Sequence, residues 1–525
     1  MEKNEEHLKE GCDILLQAAT PDIYRINAFR ISGLNVNATT REISNQVQKN
    51  QMFEKYGGKI GNHKSPFPIE PPPDIDKLRQ ALHRLRDPET RIIDEFFWFW
   101  PHSLDIGVKD HALDALSRND IKTAESLWIN YEATLTESNV SRHNLAVLSH
   151  LLVLDIELNG NSLAKEESAK REKYWKDTFK RWTLLLEHEG FWSRLTARVR
   201  QMDDPRLTTG FVKRMRESLP YAILQINASI ALKAAESGDK SEALRQINLM
   251  HNSGFGKAVV SRALKHVANP LRTRVKVICK SISEETYPDK KSELAACKKL
   301  IDQTKELLAA IDILLQDDNT IKEGAHDEVA LAAMGLAISY ANATEDWESV
   351  VPIFTELKII VIGESARNRV DLNYDIFTKN VEYDNLYKKC FYCKKNNADN
   401  SSVVEVKMHG DVQRNYYSNQ ITWRYITIKV PRCNHCKKQH DIKENYTWAG
   451  GGFGLLLGIG GCSIVEFGNG GFWTLVGLTG LGLLVGYIIG TSKNKTASKG
   501  TYNQFPQIKE LLRQGWSWGE KPNTN

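Results

Sequence analysis

Apolar positions recur at helical spacing through most of this chain, and the pattern predicts a mainly α protein. Between about residues 110 and 380 the periodicity is near 3.6. It breaks at three places with one grammar, in which a helix with small residues meets a polar Asp turn and a second helix follows. These are HALDALSRNDIKTAESLW at 111–128, IALKAAESGDKSEALRQI at 230–247 and AAMGLAISYANATEDWESVVPIF at 332–354. Alanines near each turn let two helices pack antiparallel at close range. The stretch REKYWKDTFKRWTLLLEHEGFW at 171–192 places Trp175, Trp182 and Trp192 on one helix side, as anchors of a core. Period-two alternation appears only late, in VVEVKM at 403–408 and TWRYITIKV at 422–430, which read as strands.

After the strands the alternation stops. Trp448–Phe467 and Phe472–Gly490 are two apolar runs joined by GNGG, and the stretch from Gly450 to Gly490 is more than one-third glycine. Each run is just long enough for a membrane-spanning helix, which needs roughly 20 apolar residues. Gly450, Gly454 and Gly458 form one GxxxGxxxG face, and Gly482, Gly486 and Gly490 form another. Spacing of four brings each set onto one side of a helix, where two backbones can approach closely in lipid. The expectation is a two-helix transmembrane hairpin, with lysines on both flanks holding its ends in the cytoplasm. The same glycine faces could also join several copies into a homo-oligomer.

Helix-start chemistry marks the first hundred residues. Thr39-x-x-Glu42 is a capping box, Asp74 is a plausible cap, and Asp87-Pro88 joins an N-cap to proline at the first helical position. The run Asn27-Ala28-Phe29-Arg30-Ile31-Ser32-Gly33-Leu34, then Ala38-Thr39 and Glu42-Ile43, resembles the start of a DnaJ-type J-domain. Leu85-Arg86-Asp87-Pro88-Glu89-Thr90-Arg91 with Asp94 is similar to that family's end. The resemblance covers about 75 residues and implies a co-chaperone-like helical domain. Where the family carries His-Pro-Asp, this chain has His63-Lys64-Ser65, so no active residue is carried over. The helix–Asp turn–helix units are similar to tetratricopeptide repeats without their 34-residue period, which implies a divergent α-solenoid presenting a surface to a protein partner.

Charge is unevenly spread. The chain has 525 residues and a net charge of +5, but Lys388–Lys443 alone has twelve Lys/Arg against four Asp/Glu. Within that basic segment KKCFYCKK and PRCNHCKKQH supply two C-x-x-C knuckles. Cys390, Cys393, Cys433 and Cys436 fit a tetrahedral all-thiolate Zn²⁺ site of zinc-ribbon type, structural because four cysteines close it. His435 and His440 stand beside the second knuckle as solvent-facing residues. Lys388, Lys389, Arg424, Arg432, Lys437 and Lys438 interleave with aromatics, which suits membrane lipid headgroups or, less well, nucleic acid. The tail FPQIKELLRQGWSWGEKP at 505–522 reads as a short amphipathic helix begun by Pro506 and stopped by Gly515, folded back near the hairpin or the zinc module.

Phosphate-binding GxxxxGK[ST], HExxH and GxSxG are all missing, and the N-terminus lacks a signal-peptide core. The expected order is therefore a J-like helical domain at 1–105, a tetratricopeptide-like helical domain at 106–384, a zinc ribbon at 385–445, a transmembrane hairpin at 446–491 and a cytoplasmic tail at 492–525. Its expected role is that of a non-enzymatic, membrane-anchored cytoplasmic adaptor. Rival roles are a membrane-permeabilising effector and a nucleic-acid-binding membrane protein.

Overall fold

A computed structural model describes residues 12–56, 67–103, 109–134, 139–159, 165–208, 210–415, 420–462, 469–493 and 498–522. His63-Lys64-Ser65 and Glu466 lie outside these residues. The chain divides into two compact units, Met1–Tyr340 with Leu357–Val370 and Ala341–Glu356 with Asp371–Asn525. It is mainly helical, with one small antiparallel sheet.

The first unit opens with α1 (Asp13–Ala18), α2 (Ala28–Ser32), α3 (Thr40–Tyr56), α4 (Ile75–Arg84) and α5 (Pro88–Phe96). It continues through α6 (His111–Ser117), α7 (Ile121–Thr134), α8 (Asn139–Asn159), α9 (Lys165–Leu186) and α10 (Glu189–Met202). Four long or medium helices come next: α11 (Phe211–Glu236), α12 (Lys240–His251), α13 (Lys257–Glu284) and α14 (Lys290–Leu314). Then come α15 (Thr320–Thr344), α16 (Trp347–Ile360) and α17 (Glu364–Lys388).

Local chemistry sets the helix starts. The Asn27 side chain accepts from the amides of Phe29 and Arg30, and Gly33 ends α2 at φ 68°. The capping box is formed, since the Thr39 amide donates to Glu42 Oε2 at 2.7 Å and the Glu42 amide to Thr39 Oγ1 at 3.3 Å. Asp74 and Asp87 cap α4 and α5 through Lys77 and Thr90. All three Asp turns repeat one device: Asn119, Gly238 and Glu345 adopt φ of 63°, 79° and 55°. The aspartate that follows each of them, Asp120, Asp239 or Asp346, accepts an amide of the next helix's first turn.

An aromatic core ties the first unit together. Phe96 stacks on Trp182 and Trp192 with centroids 5.5 and 5.9 Å apart, and Phe99 stacks on Trp128 at 5.5 Å. Trp175, Trp182 and Trp192 are all buried, as core anchors should be. Around them sit ion pairs with little access to water: Asp94 with Arg84, Glu95 with Arg91 and Arg198, and Glu157 with Arg171 and Arg245. Contacts also span long sequence distances. The Cys12 amide donates to Ser218 and Gln225 donates to the Leu16 carbonyl, which fastens α1 to α11.

In the second unit, β1 (Val404–Asn415) and β2 (Gln420–Val430) form an antiparallel hairpin, and β3 (Ser517–Trp518) pairs with the other edge of β1. The register shifts between Gly410 and Gln413, with Asp411 at φ 50°. Two further long helices follow the ribbon, α18 (Asn434–Cys462) and α19 (Asn469–Lys493), and then the short α20 (Pro506–Arg513). The boundary expected at 445 falls inside α18, which starts in the second cysteine knuckle.

The glycines of α18 and α19 face one another. A Cβ on Gly450 would strike the Gly482 carbonyl and lie 2.8 Å from the Gly486 Cα. One on Gly454 would strike the Leu478 carbonyl, and one on Gly486 the Tyr446 carbonyl. Gly450, Gly454, Gly482 and Gly486 are thus used within the hairpin itself. The surroundings of Gly458 and Gly490 lie outside the described residues. Gly452, Gly477 and Gly480 face open space, among exposed apolar residues such as Phe453, Leu456, Trp473 and Leu481.

The expected membrane placement is overturned: among the described residues no helix is long and apolar enough to cross a membrane. The described apolar part of α18 covers Trp448 to Cys462, and the rest of the expected run, 463–467, lies outside the described residues. The expectation leaned on glycine faces, and glycine lets two backbones approach closely whatever surrounds them.

Candidate metal centre

The two knuckles converge as their spacing predicts. The Sγ atoms of Cys390, Cys393, Cys433 and Cys436 all lie within 4.8 Å of one another, and none of these cysteines is in a disulfide. Four thiolates at about 2.3 Å from a tetrahedral Zn²⁺ would be about 3.8 Å apart. Cys393 and Cys433 are 3.8 Å apart. The cluster is compatible with a structural zinc. Three of the four cysteines are buried and Cys393 is partly exposed.

Each knuckle is held by its own backbone. The Cys390 amide donates to the Asn396 carbonyl and the Lys394 amide to the Cys390 carbonyl, with Lys394 in the left-handed region at φ 54°. The Phe391 amide donates to Pro431 and the Asp399 amide to Arg432, which locks the first knuckle to the second. Cys433 sits at the N-terminus of α18, where unpaired amides favour a thiolate. The Cys436 amide reaches Cys433 Sγ at 3.4 Å.

The thiols respond unequally. Burial pushes Cys393 up, but amides of Asn396 and Lys395 outweigh it and hold the thiol at about 7. Burial raises Cys390 and Cys436, and the neighbouring thiols raise Cys436 further. The Cys393 proton therefore leaves more readily than those of Cys390 and Cys436. A dication held by Cys390, Cys393, Cys433 and Cys436 would supply the charge that favours their thiolates.

The shell around the sulfurs comes from three parts of the chain. Cys390, Cys433 and Cys436 share a buried cluster with Val406, Met408, Ile428 and Val430 of the strands and with Phe505 and Ile508 of the tail. The tail thus docks on the metal module. Trp516 packs flat on Gly410, where any Cβ would enter its ring, and the Gly519 amide donates to the Lys407 carbonyl at 2.9 Å. The Tyr392 hydroxyl donates to the Lys499 carbonyl at 3.2 Å, and Lys499 pairs with Glu444 at 2.8 Å. The return of α19 is thereby held beside the exit of α18.

Two residues depart from their expected roles. His440 is buried, not solvent-facing, and its Nδ1 meets Arg432 Nη1 at 3.2 Å. Arg432 is itself buried and donates to the Ser402 carbonyl at 2.6 Å, so it braces the module and is not presented to a lipid or nucleic acid. The remaining basic residues are dispersed. Lys437 donates to the Ser401 carbonyl, Lys388 is 4.0 Å from Asp384, and Arg424 is 3.6 Å from Asp411, while Lys389 and Lys438 are exposed. The sequence carried a signal for His440, since Cys436 and His440 are four residues apart on one face of α18.

Comparison with known protein families, curated proteins and solved structures finds no match. The J-domain and tetratricopeptide resemblances thus rest on the quoted residues alone.

Proposed function

We propose that this chain is a non-enzymatic adaptor: a helical body of divergent, tetratricopeptide-like pairs recruits a protein partner, and the cysteine module is a structural Zn²⁺ site. One observation supports the body's role above others. Its buried charged groups are matched to one another, Asp94 to Arg84, Glu95 to Arg198 and Glu157 to Arg245, at 2.7, 2.8 and 2.6 Å. An active site keeps acids, bases or nucleophiles uncommitted in a cleft. Matched pairs instead stiffen a scaffold. The metal site fits the same reading, because a catalytic zinc keeps an open position and here four cysteines converge from both knuckles.

Two measurements test this. The purified chain should carry about one zinc by elemental analysis, and Cys436→Ser should lose it, consistent with thiolate sites whose binding is coupled to folding. Quantitative cross-linking of the full chain in its native extract should give a near-stoichiometric protein whose links map to residues 12–340. Links confined to 385–520, or retention of nucleic acid that salt abolishes, would overturn the adaptor.

A further inference from the structure

Between α9 and α12 the body has a groove of about 770 Å³, closed at one end by the turn at Asn252–Gly254. Its floor is apolar. Phe179 and Leu249 are buried, while Leu184 and Leu244 remain 43% and 40% exposed on opposite walls. Leucines left open on two facing helices over a shared hollow mark a contact surface more than an ordinary stretch of solvated helix.

The α9 wall is positive. Glu172, Lys176, Lys180 and Leu184 recur every fourth residue, so they form one stripe about 18 Å long. Lys176 and Lys180 are exposed and have no acidic partner among the described residues. Glu172 does not neutralise them, since it is held by Arg245 at 2.9 Å, and Arg245 also binds Glu157 and Glu242. Glu172, the acid among the lining residues, is thus committed to Arg245, and Lys176 and Lys180 present their charges along an apolar trough. Both walls are helices with internally bonded backbones, so recognition must come through side chains and not through strand addition.

We propose that this groove receives an acidic amphipathic helix of about three turns from the partner protein. Its apolar side chains at i, i+3, i+4 and i+7 lie over Phe179 between Leu184 and Leu244. Its carboxylates meet Lys176 and Lys180. The inference rests on the adaptor reading for there being a partner, and adds where it binds and what it presents.

Fluorescence anisotropy with the full-length protein tests it, using three labelled synthetic helices of about 14 residues, or about 21 Å. One has leucines at i, i+3, i+4 and i+7 with glutamates elsewhere, one has lysines in place of the glutamates, and one scrambles the first. The acidic amphipathic peptide should bind at least about tenfold more tightly than the other two. Lys176→Glu with Lys180→Glu should weaken it at least about tenfold, and Leu184→Ala with Leu244→Ala should also weaken it. Lys213→Glu, an exposed charge on α11, should change nothing. Equal binding of the scrambled peptide, or an unchanged affinity after the double reversal, overturns the groove. If the native partner still cross-links to 12–340 of the charge-reversed chain at full yield, the groove fails and the adaptor stands. If no partner links to the body of the unaltered chain, the adaptor itself fails.

Discussion

His143 and His150 are fully buried in the aromatic core. The His143 ring N–H donates to the Phe96 carbonyl at 2.6 Å, and His150 Nδ1 meets the Tyr24 hydroxyl at 3.2 Å. Burial holds His143 down to about 4 and His150 to about 3. An unfolded histidine takes up its proton near 6.5. As pH falls below that value the unfolded chain gains protons that the folded chain refuses, so stability is complete above pH 7 and drains toward pH 4. At pH 5 the loss is about 2 kcal/mol for each histidine. Urea midpoints at pH 7.5 and pH 5.0 should therefore differ clearly, with the lower at pH 5.0; coincident midpoints would show that these rings are not neutral in the core. Single residues were also where the sequence spoke most clearly. Thr39 with Glu42, Asp87 before Pro88, and the four cysteines act over a few residues, and each stands where its pattern placed it. Arg432 did not, because a basic residue in a basic segment looks the same whether it faces water or supports a carbonyl.

Helix α18 packs on α19 through missing side chains, and this gives paired tests. A Cβ at Gly454 would strike the Leu478 carbonyl, whereas one at Gly452 meets nothing within 4 Å. Gly454→Leu should destabilise the hairpin by about 3 kcal/mol, at the upper end of overpacking costs. Gly452→Leu should be neutral or slightly stabilising, since leucine is the better helix former by somewhat under about 1 kcal/mol. Thermal melts followed by far-ultraviolet circular dichroism separate the two, and equal losses would show that the helices do not pair through this face. The glycine spacing made the pairing legible. Membrane insertion did not follow from it, because glycine spacing reports a close approach of two backbones and not the solvent around them. The groove was hidden for a different reason: Lys180 and Leu244 belong to helices whose approach no local pattern encodes.

At the scale of the whole chain, a mainly helical protein with a late two-strand insertion between cysteine knuckles was readable from periodicity and spacing. The dock of the tail was readable only as a choice between the hairpin and the zinc module. An amphipathic helix at 506–513 could have docked on several surfaces, and only the fold shows Phe505 and Ile508 among the metal-bearing residues. Phe505→Ala should cost about 3 to 5 kcal/mol, as for other buried aromatics, and should speed zinc release to a chelator, followed by a colorimetric metal indicator. The exposed Lys509→Ala in the same helix should release zinc at the unaltered rate. Equal rates for all three proteins would detach the tail from the metal module.

The salt bridge between Glu444 and Lys499 has a consequence for how such a chain can be altered over generations. Both helices of the hairpin leave and re-enter the ribbon at one doorway. Only the part of the excursion between Glu444 and Lys499 is therefore open to a change of length, since Cys436 sits in the first turn of α18 itself.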